Sequence, residues 1–444
     1  MFVQKNFPAK AAILTLGCKV NQYESEAIAE ALNEAGLIIG HPEDVCDLYI
    51  VNSCTVTAES DRKSRQAVRR LLKQNPHAVV IVTGCSAETD AKKVAEIPGV
   101  DAVVGNREKM KVVTYALGFL KNGKPEAAVI DVPPLEDSGF EPMAITRFDR
   151  TRAYVKIQDG CESKCAYCTI PAARGHERSK PLADVIAEVT KLTQGGCHEV
   201  VLTGIETGAW GKDLGKEHTL ASLLRAVAQI PGVGRIRLGS LDPTVITEEF
   251  AQTVGSLPCV APHFHLSMQS GSSATLARMR RKYNVNQAKA AMARLREKLP
   301  GVKFTTDIIA GFPGETEEEF QETLAFAREA QFLHIHAFPY SKRAGTPAAV
   351  MKDQVPEPIK RARVYQLNDV SEASSRLLHQ KALEAQLPLT VLFETFQPET
   401  GLYHGHTPDF LEVTAPADCD IRGKEMVVFP VACSDGALLC RILA

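Results

Sequence analysis

Three cysteines within eight residues are the most distinctive chemical feature of the chain. Cys161, Cys165 and Cys168 follow the apolar alternation of residues 153–157, and the polar residues 162–164 are typical of an exposed loop. Three thiolates on one loop can ligate three irons of a 4Fe-4S cluster and leave the fourth iron open to a small molecule. A zinc site usually takes its ligands from two paired hooks, so this spacing favours an iron-sulfur cluster over zinc.

A second set of three cysteines is dispersed over the N-terminal part of the chain. Short apolar runs, each followed by a helical pattern, predict βα units and a parallel sheet; they lie at residues 11–16, 47–51 and 78–82. Cys18, Cys54 and Cys85 each come just after one of these strands. The carboxyl ends of parallel strands share one edge of a sheet, where such folds bind ligands. We therefore expect these thiols to converge and hold a second cluster, the alternative being three small buried residues at strand ends.

Length and charge restrict the class of protein. A chain of 444 residues predicts two or three domains, and a net charge of −2 with a pI of about 6.6 argues against a broad surface for polyanions. The sequence has no pattern of a secretory leader and no uncharged apolar run of the roughly 18 residues that a membrane span needs. We therefore expect a soluble, cytoplasmic protein without membrane partners. Its remaining cysteines are interpreted as core residues, in particular Cys46, Cys197 and Cys259.

The patterns predict an α/β protein with three domains. Residues 1–140 form an open parallel-sheet domain, residues 133–149 a linker, and residues 147–380 a second α/β domain. The second domain shows six strand-like runs at βα spacing, at residues 152–158, 199–203, 235–240, 263–268, 303–309 and 333–338. Six units are fewer than the eight that close a full barrel, so we expect an open, partial (β/α)6 barrel with the site on its C-terminal rim.

The last segment changes character after a charged helix at residues 359–385. Residues 386–444 alternate around turn residues, which predicts a small antiparallel β-barrel. Such barrels often bind RNA. This one carries eight Asp and Glu against three Lys and Arg, which weakens the idea that the tail alone binds RNA.

The predicted rim of the partial barrel collects polar groups and glycines. A pocket of this composition suits a nucleoside that carries an amino acid. The candidate residues for binding such a molecule are Tyr167, Gly204, Glu206, Gln269, Asp307, Ile309, Gly311 and Tyr340.

Several basic residues are candidates for phosphate or carboxylate contacts. Arg174 and Arg178 could pair with such a group or form a surface ion pair, and Arg278, Arg280 and Arg281 belong to the densest basic group of the chain. An amphipathic helix after Ser60 carries Lys63, Arg65, Arg69, Arg70 and Lys73 on its polar face, which is either solvated or, being close to Cys54, in contact with phosphate. Trp210, His334 and His336 are interpreted as packing residues.

Three motifs resemble those of the radical S-adenosylmethionine methylthiotransferases, and the resemblance extends over nearly the whole chain. They are Thr15–Glu26, Asn52–Thr57 and Gly160–Gly175. They look most like the subfamily that modifies N6-threonylcarbamoyladenosine beside the tRNA anticodon.

The resemblance implies cofactors, partners and roles for the cysteines. It implies two 4Fe-4S clusters and S-adenosylmethionine, for which the rim residues above are the candidate contacts, and a tail of the TRAM type. By this resemblance the cysteines at 161, 165 and 168 hold the cluster that cleaves S-adenosylmethionine, and those at 18, 54 and 85 hold an auxiliary cluster at which sulfur is delivered to carbon 2 of the adenine. A second S-adenosylmethionine supplies the methyl group. The expected partners are the tRNA anticodon stem-loop and a small redox protein as electron donor.

Other functions share some of these features. A methylthiotransferase acting on N6-isopentenyladenosine, or on an aspartate of a ribosomal protein, would have the same six cysteines. An RNA-binding iron-sulfur protein would have the clusters but would not cleave S-adenosylmethionine. Zinc at both sites would give a colourless protein.

Overall fold

The computed structural model describes residues 8–55, 58–135, 139–148, 151–434 and 436–443, and of residues 58–61 only the backbone. The first domain is a six-stranded, all-parallel sheet with the strand order β2-β1-β3-β4-β5-β6. Its strands are β1 (Lys10–Thr15), β2 (Ile38–Gly40), β3 (Leu48–Ser53), β4 (Val79–Gly84), β5 (Ala102–Val104) and β6 (Val129–Asp131). Its helices are α1 (Lys19–Glu34), α2 (Ala58–Gln74), α3 (Cys85–Thr89), α4 (Ala91–Ala95) and α5 (Lys111–Asn122).

Helices cover both faces of this sheet because successive side chains of a buried strand point to opposite sides. In β3, Tyr49 and Val51 pack toward α2, whereas Leu48 and Ile50 pack toward α1 and α5. The three strands expected from the apolar runs are β1, β3 and β4, at the centre of the sheet. The shorter strands β2, β5 and β6 were not expected, since runs of three residues carry little periodic signal.

The second domain is an arc of six parallel strands. Two three-stranded sheets, β7-β10-β11 and β12-β13-β14, are joined by the bridges Ile236 to Val260 and Leu241 to Leu266. The strands are β7 (Arg152–Lys156), β10 (Glu199–Thr203), β11 (Arg235–Leu238), β12 (His263–Gln269), β13 (Lys303–Ala310) and β14 (His334–Pro339), with a small antiparallel pair β8 (Gln158–Asp159) and β9 (Arg178–Ser179) at the rim. The helices are α6 (Ile170–Arg174), α7 (Leu182–Gln194), α8 (Leu220–Ala228), α9 (Glu248–Ser256), α10 (Ser273–Arg278), α11 (Val285–Lys298) and α12 (Glu317–Ala330). The expected partial barrel is therefore present.

Alternation along these six strands separates an apolar outside from a polar inside. Outward residues such as Val155, Leu202 and Leu266 join one large core with the surrounding helices. Inward residues such as His265 and Asp307 are less buried and face the inside of the arc, called the lumen below. The lumen is therefore a polar cavity rather than a packed core.

The last domain is a closed five-stranded barrel that follows the long helix α13 (Glu357–Ala385). Its strands are β15 (Leu389–Gln397), β16 (Leu402–His406), β17 (Glu412–Ala415), β18 (Glu425–Ser434) and β19 (Ala437–Ile442), in the order β15-β16-β17-β19-β18. The prediction of a fully antiparallel barrel is wrong in one pair, because β17 and β19 are parallel. A closed ring with an odd number of strands cannot alternate direction throughout, so one parallel pair is unavoidable.

The barrel closes one end of the lumen. Phe410 lies between His263 and His406, with ring centroids 4.5 and 4.4 Å away, and Arg237 lies over its ring. Below it, Glu199 binds Arg237 and Arg235 at 2.8 and 2.9 Å. These contacts fix the C-terminal barrel at the amino-terminal ends of the strands, opposite the cysteine-bearing rim.

The segment expected to be a linker is packed where the structure describes it. The Tyr23 hydroxyl donates a hydrogen bond to the carbonyl of Met143 (2.7 Å), and the amide of Ile145 donates to Glu188 (2.8 Å). Residues 136–138 and 149–150 lie outside the described residues. Residues 139–148 therefore connect the first two domains as part of their interface. Among the described residues, no helix has the length and apolar character required to cross a bilayer.

Candidate functional site

The local triad, Cys161, Cys165 and Cys168, lies on the loop between β8 and α6. The loop starts at Gly160, which has φ +75°, and a Cβ there would lie 1.8 Å from the carbonyl oxygen of His176, so only glycine allows this close approach. The amide of Cys161 donates to the carbonyl of Gly175 (3.0 Å), and the amide of Ala166 donates to the carbonyl of Met279 (2.9 Å). The loop is therefore fixed at both ends by backbone contacts.

Each sulfur of the local triad receives a hydrogen bond. The amides of Ser163 and Ile170 donate to Cys161 and Cys168, both at 3.4 Å, and Arg281 donates to Cys165 at 3.3 Å. Burial raises the pKa of the Cys168 thiol to about 12 and also raises that of Cys161. Donors aimed at sulfur favour the thiolate, and a bound metal supplies the charge that outweighs burial. The loop thus fits an anionic metal cluster.

The dispersed triad, Cys18, Cys54 and Cys85, converges as expected at the carboxyl edge of the first sheet. Strand register aligns Thr15 with Asn52 and Ser53 with Gly84, so the segments that follow β1, β3 and β4 start side by side. A Cβ on Gly17 would lie only 2.9 Å from the Cβ of Cys54. Asn21 ties two of these segments together.

Asn21 and Arg174 hold the dispersed triad in place. The Asn21 side-chain nitrogen donates to the carbonyls of Leu16 (2.8 Å) and Ser53 (2.9 Å), and its oxygen accepts from Arg174 (2.6 Å). Arg174 also donates from Nε to the sulfur of Cys85 at 3.3 Å. Since Arg174 ends α6, the helix that follows the loop of the local triad, its side chain links this part of the second domain to the dispersed triad.

Arg174 belongs to a buried charge network between the first two domains. Glu24 binds Arg174, Lys109 and Lys156, and Asp159 binds Lys156 at 2.6 Å. Burial acts to raise the pKa of both carboxyls, but the surrounding cations outweigh it, holding that of Glu24 well below its usual range and lowering that of Asp159 to about 2. Both carboxyls are therefore ionised at neutral pH.

The candidate RNA contacts Arg174 and Arg178 are therefore misplaced. Arg174 has no exposed surface, and Arg178 is buried and pairs with Asp159 at 3.6 Å. A guanidinium without access to solvent forms neither a phosphate contact nor the alternative surface ion pair. Arg281 is also mostly buried, binding Asp242 at 2.8 Å as well as Cys165, and Arg278 pairs with Glu319. Of this group Arg280 is exposed.

The expected cofactor-binding residues form two groups. Tyr167, Ile309 and Tyr340 share a small apolar cluster with Phe312 beside the local triad. Gly204 and Glu206 lie on the other side, against Gln158: a Cβ on Gly204 would come 2.9 Å from its side-chain oxygen, which accepts from the amide of Glu206 at 2.8 Å. Together the groups flank the loop that carries the local triad.

The remaining three candidate cofactor-binding residues lie farther along the rim and in the lumen. Gln269 has a left-handed φ of +65° at the irregular end of β12. Asp307 binds His265 at 3.1 Å in the lumen. A Cβ on Gly311 would lie 2.5 Å from the side chain of Lys360, so this glycine accommodates the protein's own lysine.

Glu206 has an unusual protonation state for a rim carboxylate. Burial, with a smaller contribution from Asp242, raises its pKa to about 7. It borders a cavity of about 350 Å³ with Asp242 and Lys282. At neutral pH a substantial fraction of this carboxyl is therefore protonated, which weakens it as a partner for a cationic group.

The interpretation of the histidines as packing residues is wrong. His334 and His336 have exposed surface and face the lumen, where His336 lies close to His265 and Asp307. Trp210 is a packing residue as expected, since it is buried and donates to the carbonyl of Lys180 at 2.9 Å. Cys46 and Cys197 are buried in apolar cores and Cys259 packs against one, also as expected.

Sequence reasoning missed Asn21, Glu24 and Lys19. All three lie in the motif after β1, but their roles depend on distant partners. Lys19 follows Cys18 directly, and desolvation lowers its pKa although its side chain reaches solvent, which indicates a position inside a cavity. The only signal in the sequence that could have identified them is that these polar residues lie within a helix that must pack on two sides.

Two family models match the chain. One, described as "Uncharacterized protein family UPF0004", matches residues 10–105, and the other, described as "Radical SAM superfamily", matches residues 155–327. The first range ends before α5 and contains the dispersed triad, and the second contains the local triad.

Curated relatives and solved structures agree with these matches. The threonylcarbamoyladenosine tRNA methylthiotransferase MtaB of Bacillus subtilis is 40% identical over 420 residues, covering 94% of this chain and 92% of the relative. The tRNA-2-methylthio-N(6)-dimethylallyladenosine synthase of Clostridium tetani is 34% identical, covering 83% of this chain and 82% of the relative. The radical S-adenosylmethionine methyltransferase TsrM of Kitasatospora setae shares the fold, with a TM-score of 0.55 and 16% identity, covering 78% of this chain and 77% of that chain. The chain therefore belongs to the tRNA methylthiotransferases of the radical S-adenosylmethionine superfamily, and among them to the MtaB type.

Proposed function

We propose that this protein attaches a methylthio group to carbon 2 of N6-threonylcarbamoyladenosine at position 37 of tRNA. The proposal depends above all on one observation: Arg174, which ends the helix that follows the local triad, donates a hydrogen bond to the sulfur of Cys85 and one to Asn21, so a direct contact links the second domain to the dispersed triad. The higher identity to the MtaB relative than to the dimethylallyladenosine synthase, 40% against 34%, favours the threonylcarbamoyl substrate.

The six cysteines would hold two 4Fe-4S clusters, three thiolates each. When bound, the clusters and S-adenosylmethionine supply the electron, the radical, the sulfur and the methyl group, which no side chain can supply. Arg281 and Arg174 each donate a hydrogen bond to one sulfur and place a positive charge beside each triad. A guanidinium in this position offsets part of the negative charge of three thiolates.

The neighbouring side chains have positioning roles. The apolar cluster of Tyr167, Phe312 and Tyr340 excludes water from one side of the local triad. Gln158 fixes the chain at Gly204 and Glu206 on the other side. These groups would hold S-adenosylmethionine between them at the local triad, while the lumen beneath stays open to the substrate base, which must leave the stack of the anticodon loop.

The helix α2 is the best candidate for contacts with the RNA backbone. Six of its seventeen residues are Lys or Arg, although the whole chain has a net charge of −2. Lys63, Arg65, Arg69 and Lys73 are exposed, and within the described residues none of them has an ion-pair partner. Arg65 and Arg69 line a groove of about 880 Å³ that extends to Thr55 and Thr169, next to both triads. A basic helix at this place fits phosphates better than the acidic C-terminal barrel.

The remaining features of the proposal concern the cellular setting. A small redox protein would supply the electron, the C-terminal barrel would be of the TRAM type, and the protein would work in the cytoplasm with its tRNA substrate.

Mass spectrometry of tRNA nucleosides from cells with and without the gene tests the proposed substrate. We expect loss of the 2-methylthio form of N6-threonylcarbamoyladenosine and an increase of the unmodified form. Loss of the 2-methylthio form of N6-isopentenyladenosine instead would overturn the proposed assignment of the substrate. Absence of 5'-deoxyadenosine from reconstituted protein with dithionite and S-adenosylmethionine would favour an RNA-binding iron-sulfur protein.

Salt dependence of RNA binding tests the role of α2. If Arg65 and Arg69 each contact a phosphate, the double variant R65Q/R69Q should lower the slope of log affinity against log salt by roughly 1.4 to 1.8, since each contact contributes roughly 0.7 to 0.9. The control R361Q/R376Q removes two exposed arginines from α13 and should leave the slope unchanged. If both double variants show the same slope of log affinity against log salt, the RNA does not contact Arg65 and Arg69.

A further inference from the structure

A group of polar side chains in the lumen has no assigned role. His265, Asp307 and His336 lie on the neighbouring strands β12, β13 and β14, and their ligand atoms all lie within 4.8 Å of one another. His265 Nε2 binds Asp307 at 3.1 Å, and its Nδ1 contacts the hydroxyl of Thr305 at 3.0 Å. The second contact fixes the ring so that Nε2 points to the carboxylate.

Lys19 faces the same space from the first domain. It is the first residue of α1 and directly follows Cys18 of the dispersed triad. Its ammonium interacts electrostatically with Asp307, Arg152 and Arg237, which places it over the inner surface of the strands. Within the described residues no hydrogen bond or ion pair joins this ammonium to another side chain.

The charges around the lumen decide what it can bind. Arg152 and Arg237 both pair with Glu199, at 3.0 and 2.8 Å, whereas Lys19 has no such contact within the described residues. Two histidines and a carboxylate could ligate a divalent cation, but an ammonium and two guanidinium groups nearby oppose a further positive charge. An anionic group is the better complement, because it would pair with Lys19 while a hydroxyl or amide beside it could donate to Asp307.

We propose that Lys19, His265, Asp307 and His336 form a carboxylate-binding subsite that recognises the substituent on N6 of the substrate adenine. This inference rests on the proposed function. A threonylcarbamoyl group carries one carboxylate, one hydroxyl and urea N–H groups, so it offers an acceptor for Lys19 and donors for Asp307. A dimethylallyl group offers neither and would leave the ammonium of Lys19 without a charged partner.

The expected discrimination is moderate, because Lys19 and His336 have exposed surface and water offsets part of the loss of a partner. A site built for polar groups rejects an apolar analogue far more strongly than an apolar pocket rejects a polar one. Lys19 is thus a specificity-determining residue, and its position beside Cys18 brings the substituent next to the dispersed triad.

The test compares two anticodon stem-loop RNAs that differ in one charge. One carries N6-threonylcarbamoyladenosine, and in the other the threonine carboxylate is a primary amide. With reconstituted wild-type enzyme we expect kcat/KM for methylthiolation to be about 10-fold higher for the carboxylate, between the effects of exposed and of buried charge pairs, because Lys19 reaches solvent. The variant K19M should lose this preference by turning over the carboxylate RNA about 10-fold less well and the amide RNA within about threefold of the wild type.

Further variants separate recognition from folding. K19R should restore a large part of the preference for the carboxylate, and the control K216M, which alters an exposed lysine outside the site, should behave as the wild type. A K19M enzyme with normal iron content that loses activity equally on both RNAs would overturn the proposal. So would loss of the carboxylate preference on chelation and its return with a divalent cation, which would assign the site to a metal.

The same experiment distinguishes failure of the proposed function from failure of the proposed subsite. If the wild type methylthiolates dimethylallyl RNA and neither of the two threonine-containing RNAs, the proposed function fails and the subsite with it. If it methylthiolates both threonine-containing RNAs at equal rates, the proposed function stands and the subsite is overturned.

Discussion

The two cysteine triads of this protein are assembled in opposite ways. The local triad occupies one loop of eight residues, and two of its three sulfur contacts come from backbone amides in that loop or at the start of the helix that follows it. The dispersed triad draws its thiols from the ends of three strands, and Cys85 receives its hydrogen bond from Arg174, 89 residues away in another domain.

Because of this difference, we expect the geometry of the dispersed triad to depend on tertiary structure more strongly than that of the local triad. A loop whose donors are its own amides keeps its geometry as long as its ends are held. Three strand ends stay aligned only while the sheet, the Asn21 contacts and the domain interface are intact. Perturbing the interface should therefore affect the dispersed triad much more than the local one.

Removal of one thiol from each triad has the largest expected effect. Cys165→Ala should abolish both 5'-deoxyadenosine and the methylthiolated nucleoside, because the local triad would hold the cluster that reduces S-adenosylmethionine. Cys54→Ala should abolish the methylthiolated product but retain formation of 5'-deoxyadenosine. Chromatography of both products measures the difference, and equal loss of 5'-deoxyadenosine in the two variants would contradict separate roles.

Arg174→Met should perturb the interface between the first two domains and thereby affect the dispersed triad more than the local triad. The change leaves Glu24 and Asp159 with fewer cations in a buried position, which costs about 3 to 5 kcal/mol of stability. It also removes the donor to Cys85, so we expect about half of the iron to be lost per chain, with 5'-deoxyadenosine formation retained.

The matched control is Arg278→Met, which removes an arginine from a partly buried, bidentate pair with Glu319. Hydrogen bonds to a charged group contribute about 1.5 to 3 kcal/mol, so the loss of stability should be smaller than at Arg174. Urea unfolding and iron analysis of the two variants give the comparison; equal iron content in both would show that Arg174 does not support the dispersed triad.

Arg281→Met should affect the local triad more mildly. It removes one charge-assisted hydrogen bond to Cys165, worth about 1.5 to 3 kcal/mol, while the two backbone donors remain. We expect iron content close to that of the wild type and a lower reduction potential of one cluster, because a nearby positive charge favours the reduced, more negative state. Redox titration followed by electron paramagnetic resonance checks this, and an unchanged potential would contradict it.

Glu199→Gln tests the opposite end of the partial barrel, because Glu199 lies at the amino-terminal ends of the strands, at the junction with the C-terminal barrel, and not on the cysteine-bearing rim. Burial acts to raise the pKa of Glu199, but Arg237 and Arg152 outweigh it and lower the pKa to about 2 from a usual value of 4.5. A depressed pKa stabilises the fold fully above pH 4.5, by about 3 kcal/mol, and this stabilisation is lost as the pH falls toward 2.

The stability difference between wild type and Glu199→Gln should therefore shrink from about pH 6 to pH 3. Urea unfolding of the cluster-free chain, followed by circular dichroism, measures it. Both triads should keep their iron at neutral pH, and loss of iron in this variant would mean that the two ends of the partial barrel are coupled.

Much of the fold could be predicted because its signals are local. The runs that became β1, β3 and β4 are short and apolar, and each is followed by a helical pattern, so the convergence of Cys18, Cys54 and Cys85 at one edge follows from parallel topology alone. The six strands of the partial barrel were recognisable for the same reason.

The environment of the charged residues was not predictable in this way. Arg174 and Arg178 follow the local triad and resemble surface residues in sequence, yet both are buried. The partner of Arg174, Glu24, lies 150 residues away in the chain, and no local pattern links positions so far apart. The histidines of β14 were likewise misinterpreted, because whether a side chain faces core or lumen depends on the curvature of the whole arc.

The sequence by itself determined which residues can bind metal and on which edges of the sheets they lie, since both follow from spacing within loops and from the period of strands. Only the tertiary structure decided that a buried arginine links the second domain to the dispersed triad and that Lys19 points into a polar lumen. The physical reason is that burial and charge pairing depend on atoms brought together from all parts of the chain, whereas spacing and periodicity depend on neighbours alone.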